Sequence, residues 1–273
     1  MYEWDPNGVV YLNIGLIGCG SIGHFLLEKI NEDKLFSDYR ITSVFDGRKN
    51  TTLKLRELSK EYGFKIYKEL NDFLASNTDI VVECANIQVA NEYASRIVQQ
   101  KDLLLISIGV LADSALYKEL QSTAKLKGTK IYLPSGAIGG LDIVKAANIT
   151  DGLETVSLVS RKPASALSIG LLDKEMVLFE GTAKNAIQEF PKNANVAIAL
   201  SLAGIGIDKT SVKVIADPTV SKNIHTIYMQ GEFGKVELTI ENNPSPTNAK
   251  TSYLTGLSIL SALQSLDEQI VIG

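Results

Sequence analysis

Six residues near the amino terminus, Gly18-Cys19-Gly20-Ser21-Ile22-Gly23, constrain the fold more than any other stretch of this 273-residue chain. A GxGxxG pattern alone arises by chance in many loops, so its flanks decide what it means. Here the apolar run Ile14-Gly15-Leu16-Ile17 precedes it, a helical pattern follows, and a second β-branched run ends in Asp46, about 20 residues further on. Strand, glycine turn, helix, strand and acid in that order are the fingerprint of a dinucleotide-binding βαβ unit. Gly18 permits the tight turn, Gly20 lets the backbone approach a pyrophosphate, and Gly23 lets helix and strand pack closely. Ser21 and Ile22 open the helix, where unpaired N–H groups and the positive end of the macrodipole favour an anion. Asp46 is suited to accept hydrogen bonds from the adenosine ribose hydroxyls and to repel a 2′-phosphate, while Arg48 is suited to pair with that phosphate. The pattern predicts NAD as cofactor, with NADP also used.

The fingerprint opens a longer alternation. Apolar runs at Leu12–Ile17, Arg40–Asp46, Asp79–Cys84, Asp102–Ile106 and Thr129–Leu133, with a weaker one at Phe64–Tyr67, alternate with helical patterns such as Ile22–Asn31, Val89–Gln100 and Ser114–Lys127. This is the signature of a parallel sheet wrapped by helices. After Ser135 a helix at Leu141–Asn148 is followed by strands at Thr155–Ser160, Val212–Ala216, His225–Gln230 and Lys235–Glu241. In the last of these, Val236, Leu238 and Ile240 share one face and charges the other, as in a sheet wetted on one side, which suits substrate or a subunit interface. Asn243-Pro244-Ser245-Pro246 breaks the chain, and a helical period resumes over Lys250–Leu266. The fold expected is α/β: an N-terminal Rossmann dinucleotide-binding domain at 1–135 and a second α+β catalytic and dimerisation domain at 136–245. The C-terminal helix, within 246–273, is expected to pack back on the first domain.

Composition removes other classes. A net charge of −4 and no dense Lys/Arg stripe argue against nucleic acid or an anionic membrane surface as partner. The longest apolar runs are about half the roughly 20 residues that a membrane span needs. Met1–Leu12 carries acidic residues and no basic n-region, so no secretory leader is expected. Two cysteines, Cys19 and Cys84, are too few for a disulfide framework and lack metal-ligand spacing, so no metal is expected and a reducing cytoplasm fits.

Ligands of open α/β sheets lie beyond the carboxyl ends of the strands, which selects Glu83-Cys84-Ala85-Asn86, Ser107-Ile108-Gly109-Val110 and Pro134-Ser135-Gly136-Ala137-Ile138-Gly139-Gly140 to face a nicotinamide. Cys84 and Ala85 are thus candidate cofactor contacts, Cys84 as a packing thiol and not as a nucleophile, since no partner is evident. Two histidines are available for proton transfer near neutral pH. His24 follows the last fingerprint glycine and reads as a surface or packing residue. His225, in a strand pattern of the second domain, is the stronger candidate, although a strand histidine also serves as a structural residue. Arg161, Lys162 and Lys192 are candidate carboxylate binders, or else solvated surface charges.

Several stretches carry a resemblance that these rules do not supply. They are Pro134-Ser135-Gly136-Ala137-Ile138-Gly139-Gly140-Leu141-Asp142, Leu178-Phe179-Glu180-Gly181, Phe190-Pro191-Lys192-Asn193-Ala194-Asn195, Ala203-Gly204-Ile205-Gly206, Ala216-Asp217-Pro218, and Asn223-Ile224-His225 followed by Gly231-Glu232-Phe233-Gly234. In content and order they resemble the L-aspartate dehydrogenases, from about Asn13 to Leu266. The resemblance implies oxidation of L-aspartate by NAD(P) to iminoaspartate, which hydrolyses to oxaloacetate and ammonia, or the reverse reductive amination. It further implies a homodimer, a supply of iminoaspartate to pyridine nucleotide biosynthesis, His225 as the catalytic histidine, and Ala137 and Asn195 as cofactor contacts. The alternatives are another two-domain NAD(P) dehydrogenase, of homoserine or sugar type, and a non-catalytic NAD-binding regulator.

Overall fold

The computed structural model describes residues 11–48, 51–167, 169–170, 172–190, 195–246 and 248–270. The chain divides into two compact units, Met1–Pro134 and Ser135–Gly273.

In the first unit, strands β1 (Leu12–Ile17), β2 (Tyr39–Phe45), β3 (Lys65–Tyr67), β4 (Ile80–Glu83), β5 (Asp102–Leu105) and β6 (Ile131–Tyr132) form one sheet in the order β3-β2-β1-β4-β5-β6. Every pairing in it is parallel. Parallel strands need crossovers, and helices α1 (Ser21–Leu27), α2 (Leu53–Tyr62), α3 (Leu70–Leu74), α4 (Ile87–Val98) and α5 (Ser114–Lys127) supply them. Residues Asn13 to Ile17 of β1 and all four of β4 are buried, because helices cover both faces of such a sheet. Short polar residues start the helices: the side chains of Thr52, Asn86 and Asp113 accept from backbone N–H groups of the first turns of α2, α4 and α5. The order reverses direction between β1 and β4, and doubly wound sheets bind ligands at that point.

The second unit holds a five-stranded sheet of β7 (Leu153–Pro163), β8 (Met176–Thr182), β9 (Ser211–Asp217), β10 (Asn223–Gly231) and β11 (Gly234–Asn242), in the order β11-β10-β7-β9-β8. Only the β7–β9 pairing is parallel. Its inner face, with Val156 and Leu158 of β7, Val212 and Val214 of β9, and Ile227 and Met229 of β10, packs with Val144 of α6 (Leu141–Asn148), Ala183 and Ala186 of α7 (Ala183–Glu189), and Ala197 and Leu200 of α8 (Asn195–Ala203). Each large side chain so buried stabilises the unit by about 1.5–3 kcal/mol relative to an exposed one. The outer face is wet: Thr226 and Thr239 hydrogen-bond across β10 and β11 at 3.1 Å, and Lys213 pairs with Glu180 at 2.9 Å.

The C-terminal helix differs from the sequence reading in its start. Residues Asn248–Ser252 form a strand paired with Pro244–Ser245, and α9 runs only from Tyr253 to Gln264. Apolar spacing carried the expected helix back to Lys250, whereas backbone pairing across the Pro-containing turn holds those residues extended. Helix α9 belongs to the second unit. No described helix is long and apolar enough to cross a membrane.

Candidate active site

At the carboxyl end of β1 the chain turns through Gly18, whose φ of +94° lies in the region that L side chains avoid. A Cβ at Gly18 would also stand 2.7 Å from the Ala85 backbone, so the turn and the start of the β4 loop touch because no side chain intervenes. At Gly23 a Cβ would fall 2.8 Å from the Gly18 carbonyl, which explains the third glycine of the pattern. Gly20 is different: a Cβ there would meet nothing within 4 Å. The space in front of it is part of a cleft of about 470 Å³ that Gly18, Gly20, Asp46, Arg48, Cys84 and Ala85 all line. Six of the predicted cofactor residues therefore converge on one cavity, with Ser21 and Ile22 opening α1 beside it. An open space in front of a glycine at a helix N-terminus fits a pyrophosphate, and the cleft is of the size of small-molecule sites.

The far end of this cleft is charged. Asp46 is buried, and its carboxylate accepts from Arg48 Nε at 2.6 Å and from Lys68 Nζ at 3.1 Å. Burial pushes the carboxyl upward, but the hydrogen bonds from Arg48 and Lys68 outweigh it and hold the group below the usual carboxylate range. Lys68 was invisible to the motif because it stands just beyond β3, the strand that pairs with β2. An ionised acid flanked by two cations fits the ribose end of a dinucleotide, and the cations are also suited to a 2′-phosphate.

Behind the turn, Cys84 donates from Sγ to the Gly18 carbonyl at 3.0 Å. Burial raises its thiol well above the ordinary value, and burial likewise pushes Cys19 up to about 11. Neither is a thiolate at neutral pH, and Cys84 is a clasp between the β1 and β4 loops. Its neighbour Glu83, 1% exposed, accepts from Ala85 N at 2.8 Å and from Ser107 N and Oγ at 3.0 Å. Burial raises the Glu83 carboxyl despite these donors. One acid thus pins the loops after β4 and β5, two of the segments that the sequence selected.

In the second unit the inner face of the sheet changes character along its length. Strand alternation puts Asn223, His225, Ile227 and Met229 of β10 on the same face, and register places Ser160 of β7 opposite His225 and Asn242 of β11 opposite Asn223. Beyond Ile227 and Leu158 the apolar face therefore ends in a polar patch. His225 is 3% exposed, and its Nδ1 lies 2.9 Å from Ser160 Oγ. That contact engages Nδ1 and not Nε2. Burial, with a contribution from the Lys162 charge, lowers the imidazole to about 4, so His225 is neutral near pH 7 and able to take a proton. Ala137 joins the same patch through its carbonyl, which accepts from Asn242 Nδ2 at 3.0 Å. Asn195 begins α8.

The basic candidates sort themselves. Arg161 forms ion pairs with Glu175 and Asp217, and Asp217 also accepts from Thr219 N at 2.7 Å and Thr219 Oγ1 at 2.6 Å. Arg161 is thus engaged within the protein, whereas Lys162 points to the opposite side of β7, the side of His225. Lys192 lies outside the described residues. His24 sits in α1 with its ring 6.2 Å from that of Tyr62, a packing position. Ser160 and Asn223 escaped the sequence reading as site residues, because their place beside His225 depends on strand register and on no local motif.

Comparison with known proteins is in line with this geometry. A family model described as homoserine dehydrogenase, NAD binding domain, matches residues 18–134, and one described as aspartate dehydrogenase, C-terminal, matches residues 142–266. The L-aspartate dehydrogenase of Methanosarcina barkeri is 39% identical over 274 residues, spanning 96% of this chain and 99% of the relative. That of Methanococcoides burtonii is 37% identical, with the same coverage. Among solved structures, aspartate dehydrogenase from Thermotoga maritima aligns with a TM-score of 0.78 at 30% identity, covering 96% of this chain and all 100% of the other.

Proposed function

The chain belongs to the L-aspartate dehydrogenase family, and from that premise we propose that it interconverts L-aspartate with iminoaspartate, and through it oxaloacetate and ammonia, using NAD and also NADP. The observation that carries the reading is His225: a buried, neutral imidazole fixed through Nδ1 by Ser160, at the polar end of an otherwise apolar sheet face. Neither a regulator that merely holds a dinucleotide nor a structural histidine needs a proton acceptor so arranged. The aspartate-type match of the second unit favours this substrate over homoserine or a sugar.

Gly18, Gly20, Ser21, Ile22, Gly23, Asp46, Arg48, Cys84 and Ala85 would hold the dinucleotide, and Ala137 and Asn195 would contact its reactive end. Bound there, the oxidised nicotinamide supplies the acceptor for the hydride that leaves Cα of the substrate. His225 accepts the proton that the substrate ammonium sheds as the C=N bond forms. Once the imidazolium has released that proton to solvent, the imidazole takes a proton from the water that attacks the iminium carbon and passes it to the amino nitrogen. Ammonia departs as the hydroxyl proton is lost to solvent and the carbonyl of oxaloacetate forms. Ser160 fixes the ring so that Nε2 serves in both steps, and the buried surroundings keep the imidazole unprotonated between turnovers.

The quaternary and cellular readings are of a homodimer, supported by the open sheet face where Tyr228 is 37% exposed, and of a cytoplasmic enzyme, supported by two free cysteines. Supply of iminoaspartate to pyridine nucleotide biosynthesis is the role that goes with the oxidative direction. The test is the absorbance of reduced nicotinamide with L-aspartate set beside L-glutamate, L-homoserine and L-alanine, and with oxaloacetate plus ammonia in reverse. Turnover confined to aspartate and oxaloacetate is expected, with NAD and NADP ranked in the same assay. Turnover of homoserine in preference to aspartate, or of none of these despite NAD binding, would refute it.

A further inference from the structure

The polar patch holds more than His225. Lys162 stands two residues beyond Ser160 on β7, about 7 Å along a strand and on the same face. It pairs in register with Ala216, which is 0% exposed. Asn223, two residues before His225, carries a buried Oδ1 with no hydrogen-bond partner among the described residues, and so does Asn242 opposite it. A buried carbonyl oxygen without a donor costs about 1–3 kcal/mol, so two of them in one patch point to a ligand that brings donors. A cation, a neutral base and donor-seeking oxygens on one face match an α-amino acid with an acidic side chain: carboxylates for the cation, an ammonium for the oxygens.

We propose that Lys162 and Asn223 complete the amino-acid subsite around His225, with the Lys162 ammonium pairing with a substrate carboxylate and Asn223 Oδ1 accepting a hydrogen bond from the substrate amino group. The assignment rests on the dehydrogenase reading given above and names the residues that recognise its substrate. Lys162 has a second consequence: its charge, beside the burial of the ring, disfavours the imidazolium and so keeps His225 a base. Burial in turn lowers the Lys162 ammonium to about 8, which makes the pairing sensitive to mild alkali.

Among the described residues, the strands and helices packed on this face bring few other charges toward it. The inward positions of β9 are Val212, Val214 and Ala216, and those of β11 include Val236, Leu238 and Ile240. Asp142 and Lys145 of α6, and Lys184 and Glu189 of α7, are exposed, Lys184 being paired with Asp208 at 2.9 Å. Helix α8 has no titratable side chain, and Glu180 and Lys213 pair on the outer face.

The probe is succinate, a dicarboxylate without the amino group, titrated calorimetrically into the NAD-saturated enzyme. Wild-type affinity is expected to fall as the pH rises through about 8, where Lys162 loses its proton. Lys162→Met is expected to weaken succinate at least about tenfold and to abolish that pH dependence, while Lys162→Arg retains most of the affinity. Asn223→Ala is expected to raise KM for L-aspartate with succinate affinity unchanged. In a His24→Asn background, nuclear magnetic resonance follows His225 alone, and its titration is expected to move up in Lys162→Met. No succinate binding by the wild type, a wild-type affinity indifferent to pH through this range, or Lys162→Met with unaltered affinity and His225 titration would each overturn the assignment. Aspartate turnover by the wild type is scored separately: its absence beside intact, Lys162-dependent succinate binding refutes the reaction and not the subsite.

Discussion

The parallel sheet of the first unit offers backbone to the proposed dinucleotide at the ends of β1 and β4, whereas the mixed sheet of the second unit presents side chains from one face of β7, β10 and β11. At Gly18 and Gly23 any Cβ would collide with neighbouring backbone, and at Gly20 it would stand in the open cleft. In the second unit the geometry comes from alternation: Ser160, Lys162, Asn223, His225 and Asn242 share a face because strand register aligns them. A cradle of backbone requires glycine at fixed spacing and so leaves a motif of consecutive residues. A side-chain cluster gathered across strands leaves only scattered polar positions in otherwise apolar strands. The two sites are therefore expected to fail in different ways when altered.

The largest effect is expected at the side-chain site. His225→Ala removes the proton acceptor and lowers kcat/KM for L-aspartate by about 10²–10⁴-fold, measured by steady-state kinetics, without shifting the thermal midpoint of the first unit. On the backbone site, Gly18→Ala forces a Cβ into a positive-φ turn and against Ala85, a destabilisation of about 2–4 kcal/mol read by denaturant unfolding. Gly20→Ala has open space around it and leaves unfolding unaltered, yet it weakens NAD binding at least about tenfold by standing where the phosphates approach. An equal loss of stability in both glycine variants would contradict the distinction between turn and cradle. At the ribose end, Asp46→Ser removes the acid while Arg48 and Lys68 remain, and the ratio of NADP to NAD efficiency should rise on the order of tenfold. The smallest effect is expected from Ser160→Ala, which frees the His225 ring and lowers kcat by roughly fivefold, the equivalent of about 1 kcal/mol for one hydrogen bond.

The same contrast explains what the sequence made legible. β1 occupies Leu12–Ile17 as the apolar run predicts, and Asp46 stands just past β2 beside the glycine turn in one cleft. The fingerprint is local, so its structure is too. Helix α8, Asn195-Val196-Ala197-Ile198-Ala199-Leu200-Ser201-Leu202-Ala203, was not read as a helix because it is apolar nearly all round and shows no amphipathic period. Strand β8 escaped as well: Met176, Val177 and Glu180 are exposed, so an edge strand there lacks a clean alternation. The pair Arg161 and Lys162 could not be separated from sequence, since only the Asp217 and Glu175 ion pairs show which residue is engaged on the outer side. His225 was found as a histidine in a strand, but its partner Ser160 lies 65 residues away and becomes a neighbour only through the β7–β10 register.

The most direct test of the division between a backbone cofactor cradle and a side-chain reaction site is the dissociation constant of NAD for His225→Ala beside the wild type, measured together with aspartate turnover on the same samples. An unchanged NAD constant with turnover lost is the predicted result. A parallel loss of NAD affinity, or turnover that survives without the imidazole, would contradict it.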